Sequence, residues 1–267
     1  MVDRGLPAEP PTAATPPAAP LQGLALWITG ASRWIGATLA RGLAAAGARV
    51  ALTARPSAQL DEVAGDISKA GGEVLLLPAS VADHAETMEV AGELGRRWQH
   101  LDGLVNAAGV SPSFASAETV TPDDWRQVIE TNLTGTFLCT KAAFPMMRER
   151  GGTLVNITSV HGRVAHRRLS AYCASKGGVE MLTRALALDC VRFGIRINAL
   201  APAYFETPLT EGLRQSERWR TALLDRRPMG RFGHPDELIA ATSFLLSPAS
   251  SYVTGSTVVV DGGWTAA

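Results

Sequence analysis

From residue 21 onward, short apolar runs alternate with longer stretches in which apolar side chains recur at helical spacing. A run that is apolar throughout suits a strand covered on both faces, and parallel strands need connections long enough to contain a helix. The alternation therefore constrains the chain to an α/β domain built on a parallel sheet. Strands are predicted at Leu24–Thr29, Arg49–Ala54, Glu73–Leu77, Gly103–Asn106, Thr153–Thr158, Arg196–Leu200 and Thr257–Val260, with helices near 35–46, 57–70, 84–98, 122–149, 171–193 and 235–246. Seven strands joined by right-handed crossovers make a doubly wound sheet with helices on both faces. No repeat or domain break interrupts residues 21–267, which are read as a single domain.

Residues 1–20 are dominated by proline and alanine and lack the large apolar side chains that repay ordering, so they are expected to form a disordered leader without a catalytic part. The 25 basic and 25 acidic residues balance, which leaves no basic footprint for nucleic acid or an anionic membrane. No apolar run approaches the roughly 18 residues that span a bilayer, and the amino terminus lacks a basic region followed by an apolar stretch. The three cysteines, Cys139, Cys173 and Cys190, have no metal-ligand spacing and are odd in number. No metal is expected, and the compartment is read as reducing and cytoplasmic. A small-molecule substrate is the partner these features favour.

The first strand ends in Thr29-Gly30-Ala31-Ser32-Arg33-Trp34-Ile35-Gly36 and runs directly into a helix. A glycine turn at a helix amino terminus can receive a pyrophosphate, although a tight strand-to-helix connection would use the same residues. The second strand ends Thr53-Ala54-Arg55, without the acidic residue that holds the adenosine ribose of NAD. Ala54 leaves room for a 2′-phosphate, and Arg55 and Arg33 offer charge to it unless both are simply solvated. NADP(H) is therefore expected in preference to NAD(H).

Tyr172 and Lys176 are four residues apart at the start of a predicted helix, which puts phenol and ammonium on one face. A tyrosine with a pKa of ~10 is a poor acid/base near neutrality unless a neighbouring positive charge stabilises its phenolate, and Lys176 is placed to supply one. The pair alone is also common on ordinary amphipathic helices. Ser159 follows the fifth strand at its carboxyl end, where ligands bind in parallel sheets and where its hydroxyl can donate to a substrate oxygen. Asn132 lies inside the long helical segment that also contains Gly135, poised to bend or hydrate it.

With these motifs in order, the chain resembles the short-chain dehydrogenase/reductase family over essentially all of residues 21–267, and so a Rossmann-type fold. The turn at 29–36 resembles the family's glycine-rich cofactor motif, Asn106-Ala107-Ala108-Gly109 its strand-four motif, and Asn132, Ser159, Tyr172 and Lys176 its catalytic tetrad. The resemblance implies that Tyr172 protonates the carbonyl oxygen while Ser159 polarises it. It also implies that Lys176 bonds the nicotinamide ribose and lowers the tyrosine pKa, and that Asn132 holds a water linking Lys176 to solvent. Cofactor contacts are implied at Gly30, Ser32, Arg33, Trp34, Ile35 and Arg55, at Ser80 and Val81 beside adenine, and at Asn106, Ala107, Ala108 and Gly109. Tyr172, Lys176 and Pro202 are further contacts, with the Phe205 amide and Thr207 hydroxyl on the carboxamide. Residues 208–230, with Trp219, resemble the family's mobile flap, and relatives suggest a homotetramer.

Four positions depart from the family pattern. Trp34 replaces the second glycine of the turn, Ala107 an asparagine, Ser80 an aspartate and Ala203 a glycine. Substrate contacts are expected from Val110–Phe114, His161, Arg163, Tyr204 and the flap. The basic cluster Arg163, His166, Arg167 and Arg168 is either an attractor for an anionic substrate or a solvated loop. The resemblance is greatest to 3-oxoacyl-carrier-protein reductases and gluconate 5-dehydrogenases. It implies a ketone or β-keto reductase or secondary-alcohol dehydrogenase, with a sugar-acid dehydrogenase or a catalytically silent cofactor-binding scaffold as alternatives. Removing residues 2–20 is expected to leave melting temperature and turnover nearly unchanged; a large loss in either would show that the leader packs onto the body.

Overall fold

A computed structural model of the chain describes residues 20–111, 114–207 and 228–266. The expected leader (apart from Pro20), positions 112 and 113 of the substrate loop, and the expected flap as far as residue 227 lie outside the described residues. Seven parallel strands form one sheet in the order β3-β2-β1-β4-β5-β6-β7. They are β1 Ala25–Thr29, β2 Arg49–Thr53, β3 Val74–Leu76, β4 Gly103–Asn106, β5 Gly152–Ile157, β6 Ile195–Pro202 and β7 Thr257–Val260. Between them run α1 Trp34–Ala45, α2 Ala58–Lys69, α3 His84–Trp98, α4 Pro122–Ile129, α5 Gly135–Met147, α6 Ser170–Cys190 and α7 Glu237–Leu246. This is the Rossmann-type, doubly wound single domain that the apolar pattern predicts.

Alternation along each strand divides the core between the two faces of the sheet. In β1, Leu26 and Ile28 join the core under α1, α2 and α7, whereas Ala25 and Trp27 join the core under α3, α5 and α6. Trp27 is wholly buried, and its indole N–H donates to Thr53 Oγ1 at 2.9 Å, which satisfies the one polar atom that burial would otherwise strand. Helix starts follow local capping chemistry. Ser57, Asp83 and Thr121 accept from the backbone N–H of Leu60, Glu86 and Asp124, and Pro122 follows the last of these caps.

The segment 122–149, expected as one helix, is two helices joined by a π-helical turn at Glu130–Thr134. The wider turn surrounds Asn132, which is fully buried because its amide bonds Val110 and Ser175. Farther along, Arg196 on β6 donates to the carbonyls of Leu245, Ser247 and Val253 and to Ser250 Oγ, tying the segment after α7 to the sheet.

The sheet order reverses between β1 and β4, and a crevice opens there beyond the carboxyl ends of the strands. Backbone approach is closest at this point. A Cβ on Gly30, whose φ is +67°, would lie 2.6 Å from the Ala108 nitrogen, and one on Gly36 would collide with the Gly30 carbonyl oxygen. Gly36→Ala is expected to destabilise the protein by about 1–3 kcal/mol, lowering the melting temperature by several degrees. Gly65→Ala on α2, where an added Cβ meets nothing within 4 Å, is expected to stabilise it by about 0.5–1 kcal/mol. Equal melting temperatures for the two variants would refute the close-approach argument.

Candidate active site

The crevice is a cleft of about 560 Å³. At one end lies the β1–α1 turn. Thr29 Oγ1 accepts from the amides of Ala107 and Ala108 at 3.2 and 3.3 Å, fastening the end of β1 to the loop after β4. Helix α1 begins there without a capping side-chain hydrogen bond and without an acidic residue in its first turn. Its leading N–H groups thus face the cleft without a side-chain acceptor, where a pyrophosphate would find donors and the positive end of the helix dipole.

Gly30, Ser32, Arg33, Trp34 and Ile35 line this end with Ala54 and Arg55, while Ser80, Val81, Ala107, Ala108 and Gly109 line the wall beside it. Trp34 takes a left-handed φ of +54°, so the backbone follows a path that glycine adopts freely. Its ring lies 5.2 Å from the Arg33 guanidinium carbon.

The opposite wall carries Ser159, Tyr172, Lys176, Pro202, Phe205 and Thr207. Ser159 follows β5 and caps the short 3₁₀ turn Val160–Gly162; its Oγ accepts from the His161 amide at 3.2 Å. Gly162 presses against the backbone of Lys176 and Gly177, and Thr158 Oγ1 donates to the Lys176 carbonyl at 2.9 Å. These contacts bring the end of β5 and the first turns of α6 together. Tyr172 and Ser159 line this wall together; burial pushes the Tyr172 pKa up, while the Ser159 hydroxyl pulls it down.

Lys176 is buried. Its Nζ donates to the Ile157 carbonyl at 2.8 Å, and burial lowers its pKa to about 8. Desolvation dominates the phenol, and Lys176 Nζ lies 5.8 Å from its ring centroid.

Asn132 Oδ1 accepts from Val110 N at 2.7 Å, and its Nδ2 donates to Val110 O and Ser175 Oγ. Both amide hydrogens are thus engaged, and any water held by this side chain would have to donate to its oxygen. A Cβ on Gly109 would lie within 4 Å of both Lys176 Nζ and Asn132 Oδ1, which places those two groups beside the same loop.

Asn106, expected as a cofactor contact, does not line the cleft. Its side chain turns inward, where Nδ2 donates to Thr140 Oγ1 and Asn156 Oδ1, and Asn156 in turn donates to Thr183. Arg163, expected near the substrate, is held by both carboxylate oxygens of the buried Glu180 at 2.9 Å. His161 is buried too. Val164 O can only accept, so His161 Nδ1 carries the proton and Nε2 accepts from the Tyr204 hydroxyl at 3.0 Å. His166 packs against His161 and Phe114, and Arg167 and Arg168 are exposed.

Several cleft residues escaped the sequence reading, among them Ser57, Gln59, Gln127 and Thr131. The last two are four apart on the segment leading to Asn132, a polar pair on one helix face that offered a signal. Among the described residues, no group of three or more His, Cys, Asp or Glu side chains could hold a metal, and no helix is long and apolar enough to cross a membrane.

Comparison with known proteins agrees with this geometry. A family model described as enoyl-(acyl carrier protein) reductase matches residues 30–265. The galactitol 2-dehydrogenase (L-tagatose-forming) of Cereibacter sphaeroides is 41% identical over 250 residues, 92% of this chain and 96% of that one. The gluconate 5-dehydrogenase of Gluconobacter oxydans is 38% identical over 246 residues, again 92% and 96%. The crystal structure of a gluconate 5-dehydrogenase from Burkholderia cenocepacia in complex with NADP and tartrate superimposes with a TM-score of 0.89 at 39% identity, covering 92% of this chain and 97% of that one. The chain belongs to the short-chain dehydrogenase/reductase family of oxidoreductases, which use a nicotinamide cofactor to interconvert CH–OH and C=O groups.

Proposed function

We propose that this enzyme interconverts a secondary alcohol and a ketone with NADP(H) in preference to NAD(H), using Tyr172 as the acid/base. The observation that carries the reading is the meeting of Ser159, Tyr172 and Lys176 in a cleft whose other end is the uncapped amino terminus of α1. When bound, the nicotinamide supplies or accepts the hydride at the substrate carbon. In reduction, the Tyr172 hydroxyl gives its proton to the carbonyl oxygen; in oxidation the phenolate takes it back.

Ser159 holds the same oxygen. Its Oγ accepts from the His161 amide, and its hydroxyl proton remains for donation to that oxygen. Lys176 uses one N–H on Ile157 O and has two more for the nicotinamide ribose, from which its charge would act on the phenol. Asn132 fixes Val110 against the helix and so sets the loop that flanks Lys176. We retain for it a part in proton resupply, through a water donating to Oδ1.

NADP(H) preference is supported by Arg33, Ala54 and Arg55 lining one end of the cleft and by the NADP bound in the Burkholderia relative. The favoured substrate is an open-chain polyol or sugar acid, because galactitol and gluconate name the substrates of the two relatives above. A β-keto acyl reductase is the second reading, supported by 36% identity over 239 residues to the 3-oxoacyl-[acyl-carrier-protein] reductase of Synechocystis sp.. The proposal extends to a cytoplasmic homotetramer. Met181 and Leu188, on α6, are 60% and 79% exposed, an apolar face that a second copy would cover.

Titration with NADPH and NADH, read by nicotinamide emission and tryptophan quenching, is expected to show tighter binding of NADPH. Binding of neither would overturn the reading. Tyr172→Phe keeps the ring and removes the proton, so carbonyl reduction is expected to fall about a hundredfold or more while the cofactor still binds. Near-normal turnover would remove Tyr172 from its role. Arg55→Asp replaces attraction with repulsion and is expected to lower the NADPH-over-NADH binding ratio about tenfold or more, an outcome that an unchanged ratio would contradict.

A further inference from the structure

Trp34 presents a physical contradiction. Its φ of +54° lies in a region that bulky L-residues avoid, at a place in the turn where glycine would carry no strain. Such strain persists where surrounding structure holds it, and it concentrates at ligand sites. The side chain is not merely tolerated, because the indole lies against the Arg33 guanidinium, 5.2 Å from centroid to carbon, and both residues line the same end of the cleft as Ala54, Arg55 and Ser57.

Arg33 is otherwise an exposed side chain with many rotamers. An arginine laid on an indole face loses much of that freedom before any ligand arrives, while its planar edge remains available to phosphate oxygens. The left-handed backbone has a second effect: it leaves the turn on the path a glycine would take, so the helix terminus is still presented to a pyrophosphate.

We propose that Trp34 is a positioning residue for recognition of the 2′-phosphate of NADP(H): its indole preorganises Arg33 for the phosphate, while its left-handed backbone preserves the pyrophosphate cradle. The inference rests on the NADP(H) reading and adds to it a residue that never touches the phosphate. Trp34 thereby acts on discrimination between the two dinucleotides and leaves their shared part alone.

Calorimetric titration of the full chain with 2′,5′-ADP and with 5′-AMP separates the two effects, because both ligands share adenosine and the 5′-phosphate and only one carries the 2′-phosphate. In the parent protein 2′,5′-ADP is expected to bind more tightly. Trp34→Gly removes the ring and the strain together; it is expected to lower that preference by about three- to fivefold with 5′-AMP affinity unchanged. Trp34→Phe keeps an aromatic face and is expected to retain the preference within about twofold. Melting temperatures of both variants report whether the fold is intact.

An unchanged preference in Trp34→Gly overturns the inference while leaving the NADP(H) reading standing. Equal strengthening of both ligands also overturns it, since Trp34 would then only narrow the cradle. If the parent protein binds the two ligands equally, the NADP(H) reading itself fails and the Trp34 role falls with it.

Discussion

The backbone of the first turn and the loop after β4 approach so closely that no side chain fits between them, and the rest of the site depends on that contact. Gly30 removes the Cβ that would collide with Ala107 and Ala108, Gly36 removes one that would strike the Gly30 carbonyl within the turn, and Thr29 fastens the two segments through its hydroxyl. Because the sheet reverses its order here, the same loop reaches both halves of the molecule. On one side it forms the floor beneath the α1 terminus. On the other, Gly109 passes beside Lys176 and Asn132, and Asn132 grips Val110 by both backbone groups. One loop of small residues therefore sets the distance between the place where a dinucleotide's phosphates would bind and the place where the proposed proton transfer would occur.

Electrostatics on the catalytic wall follow from burial. Desolvation favours the neutral form of any ionisable group, so it raises the Tyr172 pKa and lowers that of Lys176. A phenol is protonated near neutral pH at its ordinary pKa of ~10, and the upward shift keeps it so, which would suit an acid in carbonyl reduction. Oxidation would need the phenolate, which the Ser159 hydroxyl favours. His161 stays out of this proton chemistry. Burial lowers its pKa, and its ring is tied at Nδ1 to Val164 and at Nε2 to Tyr204, so its contribution to Ser159 is made through its backbone amide alone.

What was legible in the sequence was whatever a local pattern controls. Strands buried on both faces read as apolar runs, and helices announced themselves by period and cap, as Ser57, Asp83 and Thr121 illustrate. The cleft residues of the turn and of α6 were legible for the same reason, since spacing along one element decides where they point. Destinations settled by distant partners were not. Asn106 sits at the end of a cleft strand but turns toward Thr140 and Asn156. Arg163 looked available until Glu180, 17 residues on, claimed its guanidinium. The π-helical turn at Asn132 arises from bonds to Val110 and Ser175, 22 and 43 residues away, and no helical periodicity contains that information.

The same distinction separates chemistry from substrate choice. Ser159, Tyr172 and Lys176 are locked by backbone contacts between β5 and α6, including the close packing of Gly162 and the bond from Thr158 to the Lys176 carbonyl. Side chains anchored in this way keep their geometry when surface residues change, so the reaction type survives wide divergence in sequence. The groups that would meet the remainder of a substrate lie instead on irregular segments, Val110 and Ser111 after β4 and Ala203–Thr207 after β6. Such loops can change composition without disturbing the sheet beneath them. A single scaffold can therefore keep one proton-transfer wall while its relatives act on galactitol, gluconate or an acyl carrier thioester, and the identity of the substrate must be sought in the loops.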